Sequence, residues 1–498
     1  MNFRTDFAVV VAAFCFLNRC DGVERPPNVV VFLVDDLGAR DLGCFGSTFY
    51  ETPNIDRLAE GGMRFTAAYS TCPVCSPTRS SMMTGRLPQR TGITDYINAA
   101  GGNQPEQWRR NTRLLPASYS DHLALEERTI AEELHDRGYA TFFAGKWHLG
   151  GDGFLPTDQG FDDNQGGTNS GQPASYYSPY NNRKLADGPA GESLSLRLGI
   201  ETCKFIEKHR DKPFFAYLSF YAVHVPLQSR EALIKKYEAK AAGTKHDGPE
   251  FGNEGKSKLR LTQSNATYSG MIEEMDAAVG MVLDQLDELG LAKNTIVLFT
   301  SDNGGLSTGE GWSTSNLPLR GGKGWMYEGG IRVASIIRWP GVVKTGSECS
   351  TPIMSADYFP TFVTSAGGEV EKGLKIDGVD IGPLLRGEKI AERTLYWDYP
   401  HYGNQGGAPG SAVREGKWKL IEWREDGALE LYDLDADPSE KHNLAQDQPE
   451  VAKRLREKLV TWRKEVGAKE PGVNPKFDPG KPVERGPIKP PRALNRPQ

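Results

Sequence analysis

Two apolar runs of this sequence end directly in side chains that could bind a metal ion. Asp35 and Asp36 follow the first run, and Asp302 and Asn303 follow the second. Carboxylate and amide oxygens are hard donors, which suit Ca²⁺ or Mg²⁺ better than Zn²⁺. Asp and Asn are also common turn residues after any strand, but adjacent carboxylates repel each other unless a cation neutralises them. These residues are therefore candidate metal ligands.

Basic side chains follow two other apolar runs. Lys146 and His148 follow one run, and His224 follows the other. Ligands of open parallel sheets bind beyond the carboxyl ends of the strands, so all these runs would bring their polar residues to one edge. A single lysine or histidine is more often an exposed charge or a satisfied core residue. The coincidence of several runs favours a functional site.

A further candidate centre is Cys75, within segment 71–79, which reads TCPVCSPTR. Pro77 suits the first turn of a helix and Gly85 suits its end, which places Cys75 at a helix N-terminus. Unpaired backbone N–H groups at such a position favour a thiolate or a bound oxyanion. The residues leave three interpretations open: a buried or disulfide-bonded cysteine, a redox pair with Cys72, or a nucleophile.

The elements that must position these residues alternate between strands and helices. Apolar runs rich in β-branched and aromatic residues predict buried strands, and apolar residues at helical spacing predict helices between them. This alternation is typical of an α/β fold with a large, mostly parallel sheet sandwiched by helices. The predicted strands are 28–34, 140–144, 213–220, 295–300 and 333–337, and the clearest predicted helices are 129–137 and 268–289.

The sequence also predicts how the chain divides into regions. We expect a catalytic α/β domain over residues 24–386 and a C-terminal subdomain over residues 387–469. Short strands with tight turns indicate that this subdomain has a small antiparallel sheet carrying a final helix. Pro, Gly and Lys dominate residues 470–498, which predicts an extended or disordered tail. The predicted elements of the subdomain are strands 411–415, 417–422 and 429–432 and helix 448–466.

Residues 1–22 have the features of a signal peptide. Arg4 precedes an apolar run over residues 8–17, which is too short for a comfortable membrane span. A buried first strand or helix is the alternative. We expect an exported protein, periplasmic or extracellular, with no transmembrane segment in its mature chain. Five cysteines would then remain in the mature chain: Cys44, Cys72, Cys75, Cys203 and Cys349. Because this number is odd, at least one of them is expected to have a role other than disulfide pairing.

The overall charge excludes one class of partner. The formal net charge of −6 gives no electrostatic support for nucleic-acid binding. An acidic protein can still bind a small anion, provided that positive charge is concentrated in one pocket. The basic residues after the strands, together with Arg79 and Lys323, could supply that charge.

The segment around Cys75 resembles the signature of the formylglycine-dependent sulfatases of the alkaline phosphatase superfamily, which is C-x-P-S-R followed by T-G-R. Segment 75–79 reads CSPTR and segment 84–86 reads TGR, so Thr78 stands in place of the commonest serine and keeps its hydroxyl. The resemblance covers nearly the whole mature chain. It continues through segments 28–38, 145–150, 160–162, 224–226, 301–305, 320–323, 328–330 and 431–434.

The resemblance implies a function and a role for each candidate residue. It implies hydrolysis of sulfate monoesters, with one Ca²⁺ per chain and with Cys75 oxidised to formylglycine by a separate generating enzyme. The metal ligands would be Asp35, Asp36, Asp302, Asn303 and the modified Cys75. Arg79, Lys146 and His148 would hold and polarise the hydrated aldehyde, and His148 is a candidate base for expelling sulfate. His224 and Lys323 would bind sulfate oxygens, and one of them would assist the leaving group.

The substrate is the least specified part of this interpretation. Segment 154–180 is rich in Gly and Tyr and could form a loop near the pocket. It resembles bacterial sulfatases of sulfated polysaccharides, which suggests galactose or N-acetylgalactosamine sulfates. Two other functions remain open. One is a phosphate or phosphonate monoester hydrolase of the same superfamily, and the other is an inactive exported carbohydrate-binding protein.

Overall fold

The structure is a computed structural model that describes residues 25–98, 102–244 and 248–485. The predicted signal peptide, 1–22, and the last part of the predicted tail lie outside the described residues. The strands are β1 Asn28–Val34, β2 Met63–Tyr69, β3 Leu114–Leu115, β4 Ala140–Gly145, β5 Asp163–Gln165, β6 Phe214–Ser219, β7 Phe251–Glu254, β8 Ser257–Arg260, β9 Thr295–Ser301, β10 Arg332–Arg338, β11 Ser347–Cys349, β12 Ile353–Met354, β13 Thr394–Tyr399, β14 Gly410–Glu415, β15 Trp418–Trp423, β16 Leu429–Asp433 and β17 Gly472–Val473. The helices are α1 Pro53–Glu60, α2 Cys75–Thr84, α3 Pro88–Thr91, α4 Ile130–His135, α5 Leu194–Lys208, α6 Glu231–Gly243, α7 Ala266–Glu288, α8 Glu328–Ile331, α9 Tyr358–Ser365, α10 Gly382–Leu385 and α11 Pro449–Glu465.

The main sheet is mostly parallel, as the alternation of elements predicted. Its strand order is β11-β2-β10-β9-β1-β6-β4-β5, with β12 also paired to β2. The strands β9, β1, β6, β4 and β5 run parallel to one another, whereas β10 is antiparallel to both β9 and β2. The predicted strand 333–337 therefore exists as β10, but it runs against its neighbours. The fold is α/β, and the sheet contains both parallel and antiparallel pairs on the side of β10.

Helices cover both faces of this sheet. β1 reads NVVVFLV and is buried along its whole length, as expected for a strand packed on both sides. Val30, Phe32 and Val34 pack into a core with residues of α5 and α7. Val29 and Leu33, on the opposite face, pack into a second core with residues of α2, α4 and α9. The central strands are thus held rigidly, which fixes the positions of the residues that follow them.

A second, antiparallel sheet follows the main domain. Its order is β13-β14-β15-β16, and α11 packs against it in a third core, to which residues of β2 and of segment 325–331 also contribute. β14, β15, β16 and α11 match the predicted elements, while β13 was not predicted. Part of the predicted tail lies along the main domain, because β17 pairs with β3. Within the described part of the chain, every helix is too short or too polar to cross a bilayer.

Candidate active site

The carboxyl ends of the central strands are aligned in register. Val34 at the end of β1 pairs with Ser301 of β9, and Leu33 pairs with Ser219 of β6. Ser219 in turn pairs with Gly145 of β4. The residues that follow these strands therefore emerge side by side. Gly145 is required at this point, because it has a φ of 100° and a Cβ atom there would lie 1.8 Å from the carbonyl oxygen of Ser219.

The first half of the site is an ionic network around Asp35 and Arg79. Lys146 Nζ donates to Asp35 Oδ2 over 2.6 Å. Arg79 Nε donates to Asp302 Oδ2 over 2.9 Å, and its Nη2 forms an ion-pair contact of 2.7 Å with the same oxygen. All these side chains are buried. Burial opposes the positive charge of Arg79, but Asp302 and Asp35 outweigh that effect and raise its pKa.

The second half of the site is centred on Asp36. Lys323 Nζ donates to Asp36 Oδ2 over 2.8 Å and lies 3.0 Å from His224 Nε2. Asn303 Nδ2 donates to Asp36 Oδ1 over 2.8 Å. Burial alone would raise the pKa of Asp36, but Lys323 and His224 together lower it below its usual value. Asp36 therefore remains a carboxylate. Its φ of 61° lies in the left-handed region, where strained residues of functional sites are often found.

The donor set fits a hard divalent cation. One oxygen of Asp35, one oxygen of Asp302 and Cys75 Sγ lie within 4.8 Å of one another, and a second such group joins Asp35, Asp36 and His224. Asp35 Oδ1 and Asn303 Oδ1 are buried and have no hydrogen-bond partner within the described residues. Buried oxygens without a donor are costly unless a cation binds them. The oxygen chemistry fits Ca²⁺ rather than Zn²⁺.

Cys75 is the first residue of α2, as predicted, and Gly85 ends this helix in a left-handed conformation. Burial raises the pKa of the Cys75 thiol above its ordinary value, although Lys146 and Lys323 act in the opposite direction. Unmodified, the residue is a protonated thiol and a weak nucleophile. Cys72 is also buried, and neither cysteine forms a disulfide in this structure. The structure thus gives no support to a redox pair.

Backbone carbonyls fix the tautomers of the two candidate histidines. His148 Nε2 lies 2.7 Å from the carbonyl oxygen of Ile97, and His224 Nδ1 lies 2.7 Å from that of Val225. Since a carbonyl only accepts, those ring nitrogens carry the protons. His148 Nδ1 is left as a free, buried acceptor. Burial lowers the pKa of both imidazoles well below the usual value, so both are neutral.

Some residues of this site could not be recognised in the sequence. Ser219 Oγ donates to the carbonyl oxygen of Lys146 over 2.8 Å and accepts from Arg79 Nη1 over 2.7 Å. Segment 154–180 does lie beside the site, as predicted. The hydroxyl of Tyr176 is 2.7 Å from the carbonyl oxygen of His224. A Cβ atom on Gly171 would lie 2.7 Å from Cε1 of His148, so this loop packs directly on the imidazole.

Comparisons with known proteins agree with this geometry. The family profile named Sulfatase matches residues 27–368, and the profile of the C-terminal part of N-sulphoglucosamine sulphohydrolase matches residues 322–465. The chain is 32% identical to human arylsulfatase A over 488 residues, which covers 87% of each chain. It is 30% identical to N-acetylgalactosamine-6-sulfatase of Canis lupus familiaris over 402 residues, covering 76% of this chain and 69% of the relative.

A solved structure is similar over a comparable length. It is Ps i-CgsB in complex with k-i-k-neocarrahexaose, which is 27% identical with a TM-score of 0.72. The alignment covers 88% of this chain and 93% of that chain. Sulfatases are sulfuric ester hydrolases. The aligned strand ends and the family profile over the main domain lead to one conclusion: the chain belongs to the sulfatase family of the alkaline phosphatase superfamily.

Proposed function

We propose that this sulfatase hydrolyses sulfate monoesters of carbohydrates, with one Ca²⁺ and with a formylglycine derived from Cys75. The observation that carries the proposal is the position of Cys75. Cys75 is the first residue of α2, and its sulfur and one oxygen each of Asp35 and Asp302 lie within 4.8 Å of one another. Lys146 and Lys323 both act electrostatically on it. A nucleophile there would face a metal site and concentrated positive charge.

The proposed metal ligands are the residues at the ends of β1 and β9, namely Asp35, Asp36, Asp302 and Asn303, together with the modified Cys75. When bound, Ca²⁺ would neutralise the carboxylates and polarise a sulfate oxygen, and the hydrated aldehyde would supply a hydroxyl nucleophile and a second hydroxyl for sulfate release. The chain itself supplies orientation. The bonds from Arg79 to Asp302 and from Lys146 to Asp35 hold the carboxylates in fixed positions.

Basic side chains divide the remaining work between substrate binding and proton transfer. Lys146, Lys323 and Arg79 place positive charge where a sulfate ester accumulates negative charge, in a site with little water. Lys323, which lies 3.0 Å from His224 Nε2, can hold a proton for the leaving oxygen. His148 Nδ1 is the free acceptor and is the proposed base.

A carbohydrate substrate is supported by two of the similar proteins. One is named for the 6-sulfate of N-acetylgalactosamine, and the other was solved with an oligosaccharide bound. The apolar run within residues 1–22 supports export, and the motif over residues 75–79 supports maturation by a formylglycine-generating enzyme. Galactose or N-acetylgalactosamine sulfates are the substrates that we propose to test first.

The test has a chemical and a kinetic part. Conversion of the Cys75 thiol to an aldehyde removes about 18 Da from the peptide that contains it, which mass spectrometry detects. Cys75→Ala is expected to abolish hydrolysis, whereas Cys72→Ala, a substitution at the neighbouring buried cysteine, is expected to keep the modification. An unmodified thiol in fully active enzyme would contradict the proposal.

The kinetic part compares kcat/KM for matched sulfate, phosphate and phosphonate esters of one alcohol. We expect a clear preference for the sulfate ester. A preference for phosphate or phosphonate would assign the same site to the alternative hydrolase. Binding of sulfated sugars without any turnover by the modified enzyme would favour the inactive carbohydrate-binding protein.

A further inference from the structure

Arg110 has a buried guanidinium group whose donors are mostly unused. The residue is 9% exposed. Nη2 donates to Asn404 Oδ1 over 2.5 Å, whereas Nε and Nη1 are buried and have no hydrogen-bond partner among the described residues. Those two nitrogens carry three of the five N–H bonds of the guanidinium group. Burying such donors without an acceptor is costly, so a ligand that supplies one would be stabilised here.

The guanidinium group is held in one orientation. Its Cζ lies 4.7 Å from the centroid of the Trp108 ring. Trp108 in turn stacks on Tyr402, with ring centroids 5.7 Å apart, and its Nε1 donates to Thr112 Oγ1 over 2.7 Å. A group fixed in this way loses little conformational entropy when it binds a ligand. The arrangement has the character of a preformed binding site.

Hydrogen bonds connect Arg110 to one side of the active site. Asn404, which accepts from Arg110, donates through Nδ2 to the hydroxyl of Tyr96 over 3.1 Å. Tyr96 precedes Ile97, whose carbonyl oxygen fixes His148. Arg110 is thus joined through two side chains to the segment that orients the proposed base.

The next residue, Gln405, connects Arg110 to the other side of the active site. A Cβ atom on Gly324 would lie 2.4 Å from Gln405 Oε1, so Gln405 packs against the residue next to Lys323. Gln405 Nε2 donates to Glu310 Oε2 over 2.7 Å. The negative field of Glu310 acts on both Lys323 and Arg110. Arg110 and Lys323 are therefore both within electrostatic reach of the same carboxylate, Glu310.

The acidic groups near Arg110 are hydrogen-bonded to other residues, although their charge acts on its guanidinium group. Glu310 is bound to Gln405, as described above. Asp95 accepts hydrogen bonds from Asn103 Nδ2 and from the hydroxyl of Tyr399, each over 2.9 Å. Burial raises the pKa of Asp95 to about 7, so it is partly protonated near neutral pH. Within the described residues, the guanidinium has no carboxylate as a hydrogen-bond partner.

We propose that Arg110 binds a second oxyanion of the substrate, a sulfate ester or a carboxylate on the sugar next to the one that is desulfated. A planar guanidinium with free N–H bonds matches an oxyanion better than a neutral hydroxyl. The inference rests on the proposed function and names its substrate class: carbohydrates with anionic groups on neighbouring sugars.

The experiment measures binding separately from turnover. The probes are three sulfated disaccharides that differ only in the neighbouring sugar, which carries a hydroxyl, a sulfate ester or a carboxylate. Their dissociation constants are measured by calorimetry on Cys75→Ala protein with and without Arg110→Gln. The matched control is Arg109→Gln, because Arg109 is exposed and donates only to backbone carbonyls.

We expect the Cys75→Ala protein to prefer one or both anionic probes by about 10- to 100-fold over the hydroxyl probe, the size of a charge-assisted hydrogen-bond pair. Arg110→Gln should bring that ratio close to one, and Arg109→Gln should not. Which anionic probe gains more identifies the oxyanion. An unchanged ratio in Arg110→Gln, equal weakening of all three probes, or no preference in the parent would overturn the proposal. Failure of the wild type to hydrolyse any sulfate ester would instead refute the proposed function, and these binding ratios would still decide the role of Arg110.

Discussion

Asn303 Nδ2 donates a hydrogen bond of 2.8 Å to Asp36 Oδ1, while the buried oxygen Asn303 Oδ1 has no hydrogen-bond partner in the described part of the chain. The two residues lie 267 positions apart in the sequence and follow neighbouring strands, β1 and β9. The amide thus orients one candidate metal ligand and offers another. This relationship explains why an asparagine, rather than a fourth aspartate, suits the position: a carboxylate there could not donate to Asp36.

We predict that metal removal inactivates and destabilises the enzyme. Treatment with a chelator should lower the melting temperature and abolish hydrolysis, and Ca²⁺ should restore both, because the free oxygens of Asp35 and Asn303 would regain a partner. Asn303→Ala removes both the ligand and the bond to Asp36. It should weaken Ca²⁺ binding by about 10-fold or more, measured by titration of the chelated protein. Full activity after exhaustive chelation would refute the metal site.

A second prediction concerns Ser219, which the sequence motif does not include. Its hydroxyl joins Arg79 Nη1 to the carbonyl oxygen of Lys146. Ser219→Ala should lower kcat by about 10-fold through misplacement of Arg79, with a stability loss of about 1–2 kcal/mol. The control is Ser335→Ala, because Ser335 is also buried in the sheet but pairs with Tyr358 Oη. Equal kinetic effects from both substitutions would show that Ser219 has no special role.

The sequence predicted the central strands because their buried residues are apolar throughout, and the polar residues after them were then predicted to meet at one edge. The prediction of a mostly parallel sheet gave no direction for the individual strand β10, which is antiparallel to β9 and β2. Residues 302–331, which join it to β9, lack the long crossover helix that a parallel connection needs. Strand β2 was not predicted, because the partly buried residues Arg64 and Thr66 interrupt its apolar pattern.

Other parts of the site depend on tertiary structure that no local pattern encodes. The carbonyl oxygen of Ile97 fixes His148, and any residue could provide it. Ser219 and Tyr176 act through backbone carbonyls, so their types alone give no signal. Arg110 is one of many arginines until its partners Trp108 and Asn404 are known. Family motifs identify the residues of the proposed metal site, while the residues that orient them require the structure.

A third prediction tests how the loop of segment 154–180 positions His224. The hydroxyl of Tyr176 lies 2.7 Å from the carbonyl oxygens of both Tyr221 and His224. Tyr176→Phe leaves those buried carbonyls without this donor, and we expect kcat to fall several-fold with a stability loss of about 1–3 kcal/mol. Tyr177→Phe is the matched control, since its hydroxyl donates to Glu274 instead. The measurements are steady-state kinetics and urea unfolding, and a larger kinetic effect from Tyr177→Phe would contradict the assignment.

The last prediction concerns a buried charge cluster that joins the two domains. Lys419 of β15 contacts Glu328 Oε1 at 3.0 Å and Glu440 Oε1 at 2.9 Å, and all three residues are fully buried. Burial, assisted by the nearby charge of Glu328, raises the pKa of Glu440 to about 7, whereas an unfolded glutamate has a pKa of about 4.3. Between these values the folded protein binds the proton more tightly than the unfolded chain does.

The contribution of Glu440 to stability is therefore fully present below about pH 4.3 and is lost as the pH rises through about 7. In the Glu440→Gln variant, the side chain at this position cannot ionise. We therefore expect the free energy of unfolding of the wild type, relative to this variant, to fall by about 1–3 kcal/mol between pH 5 and pH 8. Glu415→Gln is the control. Lys458 and Arg454 lower the pKa of Glu415 despite its partial burial, so its titration is complete below this range and its difference from the wild type should stay constant. If the free energy of unfolding of the wild type, relative to Glu440→Gln, instead rises with pH, Glu440 is ionised in the folded protein throughout this range and is neutralised by Lys419.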